Sequence, residues 1–161
     1  MLRKDFVRPL PGGHRHIDAQ EIAKFDTLAE EWWRPDGKFK VVHEFNAARV
    51  DYLIDFFARQ NKARLGAHPN LPLSGLRLLD AGCGAGIVSL PLAENGADVT
   101  GIDASAQSIA VAQRQAEHRS VAVEFRCGTP AEVTTAEAAF DGGVCLEVVE
   151  HVGDLEAFID D

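Results

Sequence analysis

Apolar positions fall into two rhythms along the chain. From Asp18, the residues Ile22, Phe25, Ala29 and Trp32 recur at the interval of a helix with one apolar face, and Asp18 is placed to cap its start. Pro35, Asp36 and Gly37 predict a turn, after which Phe45 opens a second amphipathic run through Val50, Leu53, Ile54 and Phe57. Residues 61–75 have no period and hold two prolines, two glycines and two asparagines, the composition of a linker. Beyond it, short apolar runs alternate with helical stretches. Strands are predicted at 76–81, 97–102, 121–125 and 140–146, with helices at 87–95 and 106–117. Strand, helix, strand repetition predicts an α/β fold with a parallel sheet. The chain then divides into a tail at 1–17, a helical cap at 18–60, the linker, and a binding domain at 76–161.

The glycines say where that domain binds. In "LLDAGCGAGIVSLPLAENGADVTGID", from Leu78 to Asp103, an apolar strand runs into Gly82, Gly84 and Gly86, and the next strand ends on an acid. Glycines there let the backbone turn tightly and lie close to a ligand at the carboxyl edge of the sheet. Asp103 follows at the offset where a carboxylate reaches a ribose diol. Asp80, just before the glycines, can anchor the loop through hydrogen bonds.

Composition narrows the partners. The 161 residues carry a formal net charge of −9, against the clustered cations that a phosphate backbone needs, so nucleic acid is not an expected partner. No apolar run reaches the roughly 20 residues of a membrane span. Cys83, Cys127 and Cys145 lack CxxC spacing and are read as reduced, buried thiols of a cytoplasmic protein. The first residues lack the apolar stretch of a secretory signal.

A dinucleotide loop, GxGxxG, would need glycine at 87, where this chain has Ile87. A nicotinamide oxidoreductase is disfavoured for that reason. The pattern present is DxGxGxG, Asp80 to Gly86, and it resembles the first motif of class I S-adenosylmethionine-dependent methyltransferases, which have a Rossmann-like parallel sheet. With "EIAKFDTLAEEWW", "GKFKVVHEFNAARVDYL" and "CLEVVEHV", the chain resembles the ubiquinone-biosynthesis O-methyltransferase family, which methylates polyprenyl hydroxyphenols. The resemblance implies S-adenosylmethionine as cofactor and a lipophilic phenol as acceptor, and hence peripheral association with the inner face of a membrane. It implies cofactor contacts at Arg49, Gly82, Asp103 and Leu146, and by fold analogy an adenine contact at Thr129. Arginine suits the methionine carboxylate, which it can meet bidentately.

The same resemblance implies a magnesium site at Glu147, Glu150 and His151, which share one face if the chain turns helical there. His151 as general base toward the phenol is the other reading, and acids at a helix start explain the glutamates without chemistry. Gly142 and Gly143 stand where the family shows branched apolar residues. The family's domain continues with further strands beyond the point reached at Asp161, so an incomplete sheet is expected. Its fourth strand would leave an edge open to self-association or to a partner chain. A noncatalytic cofactor-binding or partner-binding fragment is therefore the second reading.

Overall fold

Asp18 accepts the backbone N–H groups of Gln20 and Glu21 and so starts α1 (Ala19–Leu28), which tightens into a 3₁₀ turn at Ala29–Glu31. The computed structural model describes residues 18–34, 36–61, 70–132 and 139–160. The expected tail at 1–17 and the centre of the expected linker lie outside them. After α1 come α2 (Lys40–Gln60), β1 (Arg77–Ala81), α3 (Ser89–Glu94), β2 (Asp98–Asp103) and α4 (Ala106–Arg119). The chain ends with β3 (Glu124–Cys127), β4 (Gly142–Val144) and α5 (Leu155–Asp160). The strands form one parallel sheet in the order β3-β2-β1-β4. Strand order therefore reverses between β1 and β4, which puts the ligand crevice outside the carboxyl ends of β1, β2 and β4.

Leu76, Leu78, Leu92 and Val99 are inaccessible or nearly so and form one core cluster, to which α2 contributes Phe57. A second cluster packs α4, through Ile109, Ala112 and Ala116, against Leu90 and Phe125. Ala29, Ala85 and Val111 form a third, with Trp32 and Trp33 against it, so the segment after α1 sits on the glycine loop.

The sequence expectations shift at identifiable places. The second helix begins at Lys40, not Phe45. The third strand begins at Glu124, not 121, because Val121 donates its N–H to Ala116 O at 3.0 Å and so closes α4 instead of pairing. The fourth strand is three residues long. Gly142 there is explained by α2: a Cβ at 142 would lie 2.6 Å from Phe57 Cε1, so the glycine makes room for the ring. Leu73, within the expected linker, is fully buried, and its N–H bonds to Asn95 O at 3.0 Å. Cys145, expected buried, is exposed, while Cys83 is buried; all three cysteines are free. No helix among the described residues is long and apolar enough to cross a membrane.

Candidate cofactor site

The loop after β1 is held from three sides. Gly82 and Cys83 donate their N–H groups to Ile102 O at 2.8 and 3.0 Å, pinning the loop to the end of β2. Trp33 Nε1–H donates to Ala85 O at 2.8 Å, and Asn46 of α2 donates to Ile87 O at 2.8 Å. Asp103 supplies the third hold: Oδ2 accepts from Gly84 N–H and Oδ1 from Ser105 N–H, each at 2.8 Å. Gly82 has φ +76°, and a Cβ there would lie 2.2 Å from Val148 Cγ2. The segment after β4 thus rests directly on the loop.

Above this edge lies a cavity of about 510 Å³, a size suited to a nucleoside-bearing cofactor. Asp80, Gly82, Gly84 and Asp103 border it from the strand ends. Arg49, Leu146, Glu147 and His151 border it from α2 and the segment after β4, and Thr129 from beyond β3. The structure does not bring Gly86 or Glu150 to its wall. Gly86 instead faces the core, where a Cβ would meet Phe125 Cζ at 3.0 Å and Ala112 Cβ at 3.3 Å.

Electrostatics divide the wall. Burial raises the Asp80 carboxyl to about 6, with the Ser89 hydroxyl, which donates to Asp80 Oδ2 at 2.5 Å, opposing the rise. Burial also raises Asp103, against the two backbone N–H groups it accepts. The Cys83 thiol is pushed well up by burial and by the neighbouring Asp103 and Asp80, which keeps it protonated and inert. At the other end Arg49 pairs with Glu147 Oε1, and Glu147 has a left-handed backbone at φ +56°.

The three residues expected to hold a metal are not gathered. Glu147 turns to Arg49, His151 Nδ1 lies 2.9 Å from Glu21 Oε2, and Glu150 is exposed. Only Val149–His151 forms a short 3₁₀ turn, so the shared helical face does not form. No cluster of three His, Cys, Asp or Glu side chains able to hold a metal occurs among the described residues.

Two buried polar atoms of lining residues lack hydrogen-bond partners among the described residues: Thr129 Oγ1 and Trp32 Nε1. Sequence reasoning missed Glu21, whose partner 130 residues on is unreadable from spacing.

A parallel sheet with a glycine loop at its switch point, an acid ending the second strand and a cavity between them defines a nucleotide-type cofactor domain. A methyltransferase domain family model matches residues 79–161, and the chain belongs to that family. It is similar to a ubiquinone biosynthesis O-methyltransferase of Cereibacter sphaeroides, 44% identical over 143 residues, 89% of this chain and 57% of the relative. A relative of the same name from Mesorhizobium japonicum is 43% identical over 145 residues, with the same coverage of 89% and 57%. The chain thus spans a little over half the length of these relatives. Among solved structures, magnesium protoporphyrin IX methyltransferase from Synechocystis PCC 6803, with bound SAH, superposes with a TM-score of 0.63. The match covers 85% of this chain and 60% of that one; at 24% identity it shows the shared fold.

Proposed function

We propose that this chain binds S-adenosylmethionine and forms the cofactor half of an O-methyltransferase acting on a phenolic hydroxyl of a polyprenyl hydroxyphenol in ubiquinone biosynthesis. The observation that carries the reading is that one cavity is lined together by Arg49, the loop glycines Gly82 and Gly84, Asp103 and Thr129. These complement in turn a carboxylate, a ribose diol and an adenine. Asp103 has lone pairs left after its two backbone bonds to accept from ribose hydroxyls. Thr129 lines the same cavity, on the side of β3 where the base is assigned. A positive ammonium beside Asp80 would favour its ionised form. The identity to the curated relatives supports the acceptor class.

The cofactor supplies a methyl group on a cationic sulfur; the chain's own residues orient it and manage the acceptor's proton. His151 borders the cavity, and its Nδ1–H donates to Glu21 Oε2 at 2.9 Å, which leaves the Nε2 lone pair free to accept. His151 Nε2 takes the phenol proton as the oxygen bonds to the methyl carbon, and the electron pair of the breaking carbon–sulfur bond stays with sulfur. Phe25, edge-on to the imidazole at 5.0 Å, helps fix the ring.

Isothermal titration of the purified chain with S-adenosylmethionine, S-adenosylhomocysteine and NAD tests the reading. Saturable binding of the first two is expected, followed by methyl transfer to a catechol. Binding of NAD in their place would overturn the cofactor assignment.

A further inference from the structure

We propose that the exposed apolar stripe of α2, entered over Phe45, holds a long apolar chain carried by the acceptor, so that Phe45 sets a preference for phenols that bear one. The proposal rests on the acceptor reading above and names what lies beyond the phenol ring. Two sets of α2 side chains meet at one residue. Val42, Phe45, Asn46 and Arg49 recur at helical spacing, and all border the cavity. Val41, Phe45, Tyr52 and Phe56 follow one another along a single narrow stripe of the helix, and all four are exposed. Phe45 belongs to both sets: it borders the cavity, yet it is 65% exposed. The stripe therefore starts at the mouth of the cavity.

The apolar wall begins beside the group assigned to the phenol. Phe25 touches the His151 ring, and Phe25, Ile22 and Val42 line the cavity together with Phe45. Outside, the surface is continuous and firm. Tyr52 and Phe56 stack with centroids 6.2 Å apart, and Phe56 meets the buried ring of Phe57 edge-on at 5.5 Å. From Phe45 to Phe56 the helix rises about 16 Å, a length that a chain can follow and a phenol ring cannot fill. Exposed apolar surface of this extent marks a contact site. Charge selects the occupant. On the side away from the cavity the stripe is flanked by Glu44, Asp51 and Asp55 against Lys40 and Arg59, a net negative rim. Such a rim does not draw an anionic membrane surface, whereas a neutral hydrocarbon chain is indifferent to it.

The test titrates catechol and hexylcatechol into the chain saturated with S-adenosylhomocysteine. Wild type is expected to bind hexylcatechol roughly tenfold more tightly than catechol. Phe45→Ala should bind hexylcatechol roughly fivefold more weakly than wild type does, with catechol and S-adenosylhomocysteine unaffected, and Phe45→Leu should restore most of the loss. Because Phe45 is mostly exposed, both variants should unfold at the wild-type midpoint. Tyr52 lies on the stripe but outside the cavity wall, so Tyr52→Ala should weaken decylcatechol and leave hexylcatechol alone. Equal wild-type affinity for catechol and hexylcatechol, or a preference that survives Phe45→Ala, overturns the proposal alone. Decylcatechol binding that ignores Tyr52→Ala overturns the stripe as the path of the chain. Failure of both catechols to bind the loaded chain overturns the acceptor reading together with the proposal, and failure of S-adenosylhomocysteine overturns the cofactor reading as well. A dimer that Tyr52→Asp dissolves, or flotation on phosphatidylcholine vesicles that it abolishes, would give the stripe another occupant and overturn the proposal.

Discussion

Gly84 donates its backbone N–H to Asp103 Oδ2 over 2.8 Å, so the acid that ends β2 also holds the loop that leaves β1. With Ser105 N–H on its other oxygen, Asp103 is a structural brace before any ligand arrives. Asp103→Ala should therefore do more than weaken cofactor binding. Two charge-assisted bonds vanish, and about 2–4 kcal/mol of stability should go with them. Asp103→Asn, which keeps one acceptor oxygen, should lose about half as much. Urea unfolding of the three proteins checks the order; an Ala variant as stable as wild type would refute the bracing role.

Asp80 makes stability depend on pH. Burial raises its carboxyl from 3.8 to about 6, so the folded chain holds this proton more tightly than the unfolded one. Its stabilising contribution is fully present below pH 3.8 and is lost as pH rises through 6, a swing of about 3 kcal/mol. Asp80→Asn removes that titration. The variant should show a flatter stability profile between pH 4 and 6 and unfold at higher urea than wild type at pH 7.5. Parallel profiles for the two proteins would count against the buried, titrating carboxyl.

Legibility in the sequence followed the range of the interactions. β1, its glycines and β2 were readable because strand, turn and acid lie within one continuous stretch. The start of β3 was not, since Val121 looks like a strand residue and is claimed by the end of α4. Gly142 read only as a departure from the family's branched apolar residues, because the ring it admits, Phe57, lies 85 positions earlier. The site divides in the same way. Asp103 and the loop were legible, whereas the Arg49–Glu147 and His151–Glu21 pairs join segments that only the folded chain brings together.

The Glu147 backbone offers a comparison in which charge and strain oppose one another. Its ion pair with Arg49 is half-exposed and worth at most about 1 kcal/mol, while a left-handed non-glycine residue costs about the same. Glu147→Ala should lose the pair and keep the strain, whereas Glu147→Gly should lose both and stay near wild-type stability. Guanidinium unfolding should rank Gly above Ala. Both variants should bind S-adenosylhomocysteine more tightly than wild type, because Arg49 no longer exchanges one carboxylate for another. Weaker binding would mean that Glu147 itself contacts the ligand.

Gly82 and Gly84 separate the folding role of the loop from its binding role. Both have positive φ, +76° and +52°, so alanine costs about 1–2 kcal/mol of strain at either. At 82 the new methyl also strikes the Val148 side chain, whose Cγ2 is 2.2 Å away, and the segment after β4 would have to lift off the loop. Gly82→Ala should therefore destabilise by several kcal/mol, about 3 or more. At 84 nothing lies within 4 Å of the added methyl, and the position borders the cavity. Gly84→Ala should pay only the strain in stability yet bind S-adenosylhomocysteine at least tenfold more weakly, since the methyl enters space the ligand needs. Thermal unfolding and calorimetry on the pair check this. Equal stability losses, with affinity at 84 unchanged, would show that the ligand does not lie against the loop.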